Sequence, residues 1–575
     1  MRRRKWIWVS LGLAFVIVLV IGGLWSGGYM RSVFPALKKA ATLIPPRLWA
    51  GFAFKILVIT GLMGWVTKLV NARKERFLNG EIEYAFERDY SLVVGCDFQA
   101  GPLIKRLLSG AKDERVLLIT DRDVRALRTE MTTELTKSEY ARLMFMRRDL
   151  ALGSTYAGLG IRGAHAVYLL GDEGVSGRDG IVLRASEMIA AKALAETGIG
   201  SDVPVKAYVQ FEDPGLYSQL RSQELPMDEV DEDGKPLFDL EVFNYYDSWV
   251  WKCWSEKGSA DGVEPYLPIR FRPNVDRVEL FVVGGGRAMK AVVDAAITLM
   301  NYGDDARHCR LTVVSDRASE VLPPADAIAA FPELEIAQRP ADELNRTVFA
   351  EMMTAASDER RAVTVVIVED APENTVSTYL NLPFALRNTE ISVLLWMNSQ
   401  QRNLPGKSLL KVAGDKTKLR YFGMHDCQPW FECGRSAAGA DVNYYYSVHK
   451  ELPKGIDSAL AEKALTLWNE AAAKTEWEKC RRWKKWSSVN ASGSFKEKSA
   501  MIAGLGLTPA RQLRLLKAEH NRWWTERLLG DWRVGERDDV RRIHPNLVPF
   551  EALDDFTRDI DKIGIAAMVR QGYLG

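Results

Sequence analysis

Twice in this chain a short apolar strand runs into a glycine turn, a helix and a second apolar strand that ends at an aspartate. No other feature constrains the fold as much. The first copy reads Ser91–Val94, the turn Gly95-Cys96-Asp97-Phe98-Gln99-Ala100, a helical PLIKRLL, the strand Val116–Thr120 and Asp121, 26 residues after Gly95. The second begins at Asp276. It reads Val278–Val283, the turn Gly284-Gly285-Gly286-Arg287-Ala288-Met289, a helical KAVVDAAITLM, the strand Leu311–Val314 and Ser315-Asp316, 32 residues after Gly284. In this arrangement glycines let the backbone approach a pyrophosphate at a helix N-terminus, and the acid takes a ribose hydroxyl. Further apolar runs at 143–146, 166–170 and 205–209, and at 363–368 and 391–396, alternate with helical stretches. That alternation predicts an α/β fold with two tandem doubly wound, Rossmann-like domains.

The candidate cofactor-binding residues are therefore Gly95, Ala100 and Asp121 in the first half, and Gly284, Gly286 and Asp316 in the second. The fit is uneven. Asp97 stands at the second glycine position and brings a negative charge towards any phosphate. Met289 stands at the third position of the second turn, and Asp316 lies farther along than the usual ~20 residues. Gly286 leaves room where Asp97 does not, which favours the second half as a binder. The competing reading is a Rossmann scaffold used for assembly.

The charge balance divides the chain in two. Of 575 residues, 77 are Lys or Arg and 75 are Asp or Glu. Residues 1–76 hold 13 of the bases and a single acid, +12, which leaves −10 for the rest. The large body repels phosphate, so a polybasic nucleic-acid binder is excluded as the default and no nucleic-acid partner is expected. The basic head contains the uncharged 20-residue run Trp6–Trp25. As a helix it spans about 30 Å, the hydrocarbon thickness of a bilayer. Arg2, Arg3, Arg4 and Lys5 precede it, and Trp residues lie at both ends. A second span is expected at 48–70, interrupted by Lys55 near one end, where lysine can snorkel. The alternative is a single span followed by an interfacial helix. The connecting loop lacks a potassium-filter motif and is too short for a pore helix, so any pore requires helices from several subunits.

Residues 90–210 resemble the RCK/KTN regulatory domain of potassium channels and transporters. The resemblance rests on VVGCDFQAG, VLLITD and RRDLALGSTYAGLGIRGAHAVYLL, with Asp149, Leu159, Gly160, Ile161, Ala164 and Ala166–Tyr168 at matching positions and Arg148 in place of a glycine. It implies a body that senses nucleotides or ions and acts on a membrane part. Glu519-His520-Asn521-x-Trp523, Gly530-x-Trp532-x-x-Gly535 and His544-Pro545-x-Leu547-x-Pro549 resemble the ryanodine-receptor (RyR) repeat domain. That resemblance implies a small α-helical domain with a cleft for a nucleotide-type ligand. A binding cleft built from these residues would use Trp523 and Trp532 for stacking and Asn521 for a base or ribose edge. Arg522, Arg533, Arg541 and Arg542 would serve phosphate, and His544 would lie beside them. The alternative is that His520 and His544 only hold internal hydrogen bonds.

The expected organisation is a membrane anchor with two transmembrane helices (1–76), a first RCK-like domain (77–235), a connector (236–275) and a second Rossmann-like domain (276–440). A helical linker (441–500) and the RyR-like domain (501–575) follow. The linker ends in Arg481-Arg482-Trp483-Lys484-Lys485-Trp486, read as a solvated basic helix end rather than a base-stacking surface, and Ser487–Ser494 reads as a polar connection. Six cysteines without a CxxC pair fit a reducing compartment. His425, Cys427, Cys433 and His449 lack zinc spacing, so no metal is expected. No nucleophile elbow, metal triplet or Walker loop is present, so no catalytic residue is assigned. The expected protein is a homo-oligomeric (dimeric or tetrameric) regulator in a bacterial inner (plasma) membrane, with its large C-terminal part in the cytoplasm. Its ligand would be NAD(H), another adenine nucleotide or a nucleotide-derived signal. The output would be ion transport or membrane permeabilisation, as in antiphage defence. An NAD(P)-dependent oxidoreductase and a scaffold subunit of a potassium transport system are the competing classes.

Overall fold

The structure is a computed structural model. It describes residues 46–86, 88–196, 204–221, 223–230, 236, 238–255, 266–267, 274–302, 308–329, 331, 333–425, 435–457, 459–502 and 507–574, with residues 46–57 described as backbone only. The chain divides into two units, Met1–Asn79 and Gly80–Gly575. The described part of the first unit is one 33-residue helix, Pro46–Leu78. It contains the second expected span, while the first, 6–25, lies outside the described residues. Among the described residues no helix is long and apolar enough to cross a membrane. From residue 68 onward this helix carries Lys68, Arg73, Lys74, Glu75 and Arg76, which cut the apolar run short.

The second unit contains two six-stranded sheets of identical topology. The first has strands β1 (Tyr90–Val94), β2 (Val116–Thr120), β3 (Leu143–Arg147), β4 (Ala164–Leu169), β5 (Val205–Gln210) and β6 (Phe238–Phe243) in the order β3-β2-β1-β4-β5-β6. The second has β7 (Arg277–Gly284), β8 (His308–Val314), β9 (Leu334–Arg339), β10 (Arg361–Val368), β11 (Ser392–Trp396) and β12 (Lys418–Phe422) in the order β12-β11-β10-β7-β8-β9. Every strand pair in both sheets is parallel. This is the doubly wound order of a dinucleotide fold, present twice.

Period-two alternation explains how the first sheet is covered. Leu92 and Val94 of β1 face a core shared with Val182, Ala185 and Ile189 of the helix Arg178–Ala195. Val93, between them, faces Leu103, Ile104 and Leu108 of the helix Ala100–Gly110 on the opposite side. The second sheet shares one core with the C-terminal helices. Asn301 donates to Thr525 Oγ1 at 3.0 Å, and Lys517 pairs with Glu333 at 2.9 Å. The C-terminal module is thus built onto the second sheet.

Three local expectations are corrected. Residues 236–275 are not only a connector, because β6 completes the first sheet there. The aromatic run after it forms the helix Tyr245–Ser255, whose Trp249, Trp251 and Trp254 are buried. Ser487–Ser494 is not a polar connection. It belongs largely to the helix Arg482–Gly493, where Gly493 lies so close to the Trp251 ring that a Cβ would collide with it. The basic end before it is not simply solvated. Arg482 donates to both oxygens of Asp228 at 2.9 Å and to the Arg221 carbonyl at 3.0 Å, and Arg221 lies 4.4 Å over the Trp486 ring.

Candidate functional site

At the first glycine turn, Gly95 has φ +89° and touches the Gly171 backbone, so the left-handed conformation and the close approach both require glycine. Gly171 leads into Asp172, whose buried carboxylate ties three strand ends together. It accepts from the Cys96 amide at 2.8 Å, the Asp121 amide at 2.9 Å and the Thr120 hydroxyl. Asp97 accepts from the Gln99 amide at 2.9 Å, Arg178 at 2.7 Å and Gln210 at 3.1 Å, and its side chain has no solvent exposure. The N-terminus of the helix Ala100–Gly110, where a pyrophosphate would dock, is already served by the chain's own carboxylate. Ala100 is buried, while the side chain of Asp121 stays 70% exposed beside Arg147. Burial pushes the Cys96 thiol up to about 12, so it is no nucleophile.

The second turn is closed in a related way. Gly284 (φ +128°) lies against the Val368 carbonyl, which also accepts from the Gly285 amide at 2.8 Å. Gly286 (φ +82°) lies against the Asp370 carboxylate. The space that the sequence assigns to a phosphate therefore holds Asp370. Beside it, burial and the charge of Asp370 raise the Glu369 carboxyl above its ordinary value. Asp316 accepts from the Ala341 amide at 2.9 Å and pins the loop after β9. Each turn thus presents a carboxylate where a pyrophosphate needs donors, Asp97 buried at the first and Asp370 exposed at the second, so neither is preorganised for a dinucleotide.

The two turns are also linked to each other. Arg178, held by Asp97, approaches Glu212 at 3.7 Å, and Glu212 accepts from Arg287, the residue after Gly286. Phe98 of the first turn stacks on His425 with centroids 4.3 Å apart and meets the Tyr245 ring edge-on at 4.8 Å. The C-terminal strand ends of the halves thus meet through a chain of alternating charges, Asp97–Arg178–Glu212–Arg287, flanked by aromatic rings.

The residues expected in the C-terminal module separate into two groups. Both stem from the helix Pro509–Leu529, which Pro509 at its first turn starts and Gly530 ends. The inward face carries Glu519, His520, Asn521, Arg522 and Thr525, all buried. Arg522 donates to Glu519 at 2.8 and 3.1 Å and to Glu526 at 2.5 Å, and Lys498 also pairs with Glu519. This buried network holds Arg522 away from any phosphate, contrary to the sequence expectation. Burial alone would raise the Glu519 carboxyl, but Arg522 and Lys498 outweigh it and hold it at about 2. Asn521 is likewise buried rather than presented to a ligand. His520 Nε2 donates to the Val548 carbonyl at 2.8 Å, and burial lowers its pKa below the ordinary histidine value.

The other face carries Trp523, half-buried, with its ring 5.0 Å from His544 and edge-on to it. Trp532 lies 6.3 Å from the same imidazole. Arg527 lies over both indoles, 5.7 Å from the Trp523 centroid and 4.9 Å from that of Trp532. Arg533–Val534 pairs with Ile543–His544 in a two-residue parallel ladder that brings His544 to the helix. Burial, then the charges of Arg537 and Arg527, lower the His544 pKa and keep the ring neutral at pH 7. Arg533 and Arg541 are exposed at the rim, Arg541 with Asp538 at 3.6 Å. Arg542 (φ +57°) is committed to the Gly530 carbonyl at 2.8 Å. The structure therefore brings together Trp523, Trp532 and His544, with Arg533 and Arg541 nearby, and turns Asn521, Arg522 and Arg542 to structural work.

Arg527 was not singled out from the sequence, although it lies one helical turn after Trp523, the spacing that stacks side chains on one face. Its Nε is buried and has no hydrogen-bond partner among the described residues. Among the described residues no group of three His, Cys, Asp or Glu side chains could hold a metal ion.

No protein-family model matches this sequence, and no curated protein matches it. Solved structures are similar in part, two of them as follows. A crystal structure of a GsuK mutant aligns over 62% of this chain and 73% of its own at 15% identity, with a TM-score of 0.34. The human SLO3 gating ring aligns over 58% of this chain and 79% of its own at 8% identity, with a TM-score of 0.33. At these scores the likeness carries no argument, and the double Rossmann fold rests on the strand order of the two sheets.

Proposed function

We propose that this chain is a membrane-anchored sensor rather than an enzyme. Its C-terminal module takes a nucleotide-type ligand, and its paired Rossmann halves pass the event to the membrane segment. One contrast carries this reading. Both glycine turns present the chain's own carboxylates, whereas Trp523, Trp532 and His544 form a half-exposed aromatic face backed by Arg527. Indole faces stack purines, and the guanidiniums at the rim supply the local positive charge that a body of net −10 lacks. The Rossmann pair supports a regulatory role through its salt-bridged contact, where a shift in packing can be passed along. The output is ion transport or membrane permeabilisation, in a potassium system or in antiphage defence.

The helix Pro46–Leu78, which is not apolar enough to cross a bilayer by itself, supports assembly. Val58, Leu62, Trp65 and Leu69 are exposed and spaced by four, three and four residues, an apolar stripe that pairs helices of several copies. Ile59 and Val70, also exposed, lie beside the stripe and suit an apolar surrounding.

Thermal-shift titration of the full chain with NAD(H), NADP(H), ATP, ADP, ADP-ribose and cyclic nucleotides tests the reading, followed by ion flux in liposomes with the active compound. The expected result is a specific shift that Trp532→Ala abolishes and that Asp121→Asn and Asp316→Asn leave intact. Loss of the shift in Asp316→Asn with retention in Trp532→Ala overturns it. Hydride transfer with turnover identifies an oxidoreductase instead, and silence with every compound leaves a scaffold.

A further inference from the structure

A second surface, on the far side of the second sheet, has its own chemistry. Residues 400–420 hold six Lys or Arg and one acid, in a body whose net charge is −10. The acid, Asp415, is turned inward: its carboxylate accepts from Tyr379 at 2.9 Å and from Thr417 at 2.6 Å, and its side chain is unexposed. Lys407, Lys411 and Lys416 are exposed, and Lys411 also donates to the Thr417 carbonyl at 2.6 Å. Burial, then the neighbouring charges of Arg420 and Lys411, lower the pKa of Lys407, so these bases crowd one another.

Large apolar side chains stand out among them. Leu409 is 80% exposed, Phe384 53%, Val412 46% and Leu380 45%. The segments that carry them meet, because the Phe384 ring lies against Gly414 and the Lys416 amide donates to the Arg387 carbonyl at 2.8 Å. This surface flanks the edge strand β12 and the segments that enter β11 and β12, so it lies away from the strand ends where the halves meet.

We propose that this surface, centred on Leu409, Phe384, Lys407, Lys411 and Lys416, docks onto an anionic lipid bilayer. Bases attract acidic headgroups while protruding apolar side chains enter the boundary of the acyl region. A second copy of the chain is the poorer occupant, since a twofold contact would press this basic surface against itself. On the proposed membrane-anchored reading, docking here would hold the second Rossmann half at the bilayer surface and oppose movement of the sensor away from it.

The test is amine acylation of the full chain with vesicles of neutral phosphatidylcholine or with added phosphatidylglycerol, read by mass spectrometry at Lys407, Lys411 and Lys416. Labelling at these lysines is expected to slow several-fold with anionic vesicles only, and to recover near 1 M salt, where the Debye length is about 3 Å. Each lysine changed to Gln should lower the equilibrium constant for docking about fivefold. Leu409→Ser with Phe384→Ser should abolish protection and, because both side chains are exposed, leave the melting temperature nearly unchanged. Equal labelling with neutral and anionic vesicles overturns the proposal, as does protection that grows with protein concentration in detergent alone. Carbonate extraction reads anchoring separately, so loss of anchoring with retained protection sinks the anchor and keeps the docking surface.

Discussion

Arg522→Met separates a structural arginine from a ligand-binding one. Arg522 is 3% exposed and holds Glu519 and Glu526 on either side, with Lys498 also on Glu519. The substitution leaves two buried carboxylates with one ammonium. Breaking one member out of such a network costs about 3–5 kcal/mol, against about 1 kcal/mol for an ordinary hydrogen bond. Methionine roughly preserves the side-chain volume, so a cavity adds little. The chain is too large for a single two-state transition, so the measurement is amide hydrogen exchange along the helix Pro509–Leu529. Protection there should fall by roughly two to four orders of magnitude, while β1 and β2 of the first sheet keep theirs. Glu519→Gln added to Arg522→Met should recover part of the loss, because it removes the orphaned charge. Trp532→Ala, at a half-exposed position, should leave protection nearly unchanged and remove the ligand response. An Arg522→Met protein that keeps wild-type protection but loses the ligand response would refute the assignment of Arg522 to the buried network.

Acid should weaken the C-terminal module selectively. Glu519 is held at about 2 when folded against 4.5 as a free side chain, so its contribution is complete above about pH 4.5 and is lost as pH falls towards 2; hydrogen exchange against pH checks this. Asp561 works in the opposite sense, since burial and Glu519 raise its pKa well above the ordinary value. Its contribution is present at low pH and is lost as pH rises through the folded value, so Asp561→Asn should raise thermal stability at neutral pH and flatten its pH dependence. Gly284→Ala should destabilise the second sheet by about 2 kcal/mol or more, through its φ of +128° and the collision with the Val368 carbonyl, read as loss of protection in β7 and β10. Arg287→Ala should leave both sheets folded but loosen the contact between them, giving faster proteolysis around Glu212 at unchanged melting temperature.

The central strands were the legible part of the fold. β1, β2, β7 and β10 are buried along most or all of their length and read as mainly apolar runs, interrupted only by single polar residues such as Ser91, Glu279 and Thr364. The strands passed over, β6 (FDLEVF), β9 (LEIAQR) and β12 (KLRYF), are the sheet edges, where charged residues alternate with apolar ones and short windows resemble loops. The glycine turns were legible as backbone, but their contents were not. Asp97 was visible as a charge in the first turn, but Asp172 lies 76 residues from the Cys96 amide it accepts from, and Asp370 is equally remote in sequence from Gly286, which it crowds; no local motif announces such partners. The C-terminal site was half legible. Spacing on one helix marks Trp523 and would have marked Arg527, but it cannot say that Arg522, the residue next to Trp523, turns inward to Glu519 and Glu526.

Photo-crosslinking with 8-azido-ATP and 8-azido-NAD, followed by mass-spectrometric mapping of the labelled residues, bears most directly on where this chain senses its ligand. Labels competed by the unmodified nucleotide should fall within 523–544, on or beside Trp523, Trp532 and His544, and vanish in Trp532→Ala. Competable labels confined to 95–100 or 284–290 would contradict the account, because they would place the nucleotide at turns that the chain's own carboxylates are said to fill.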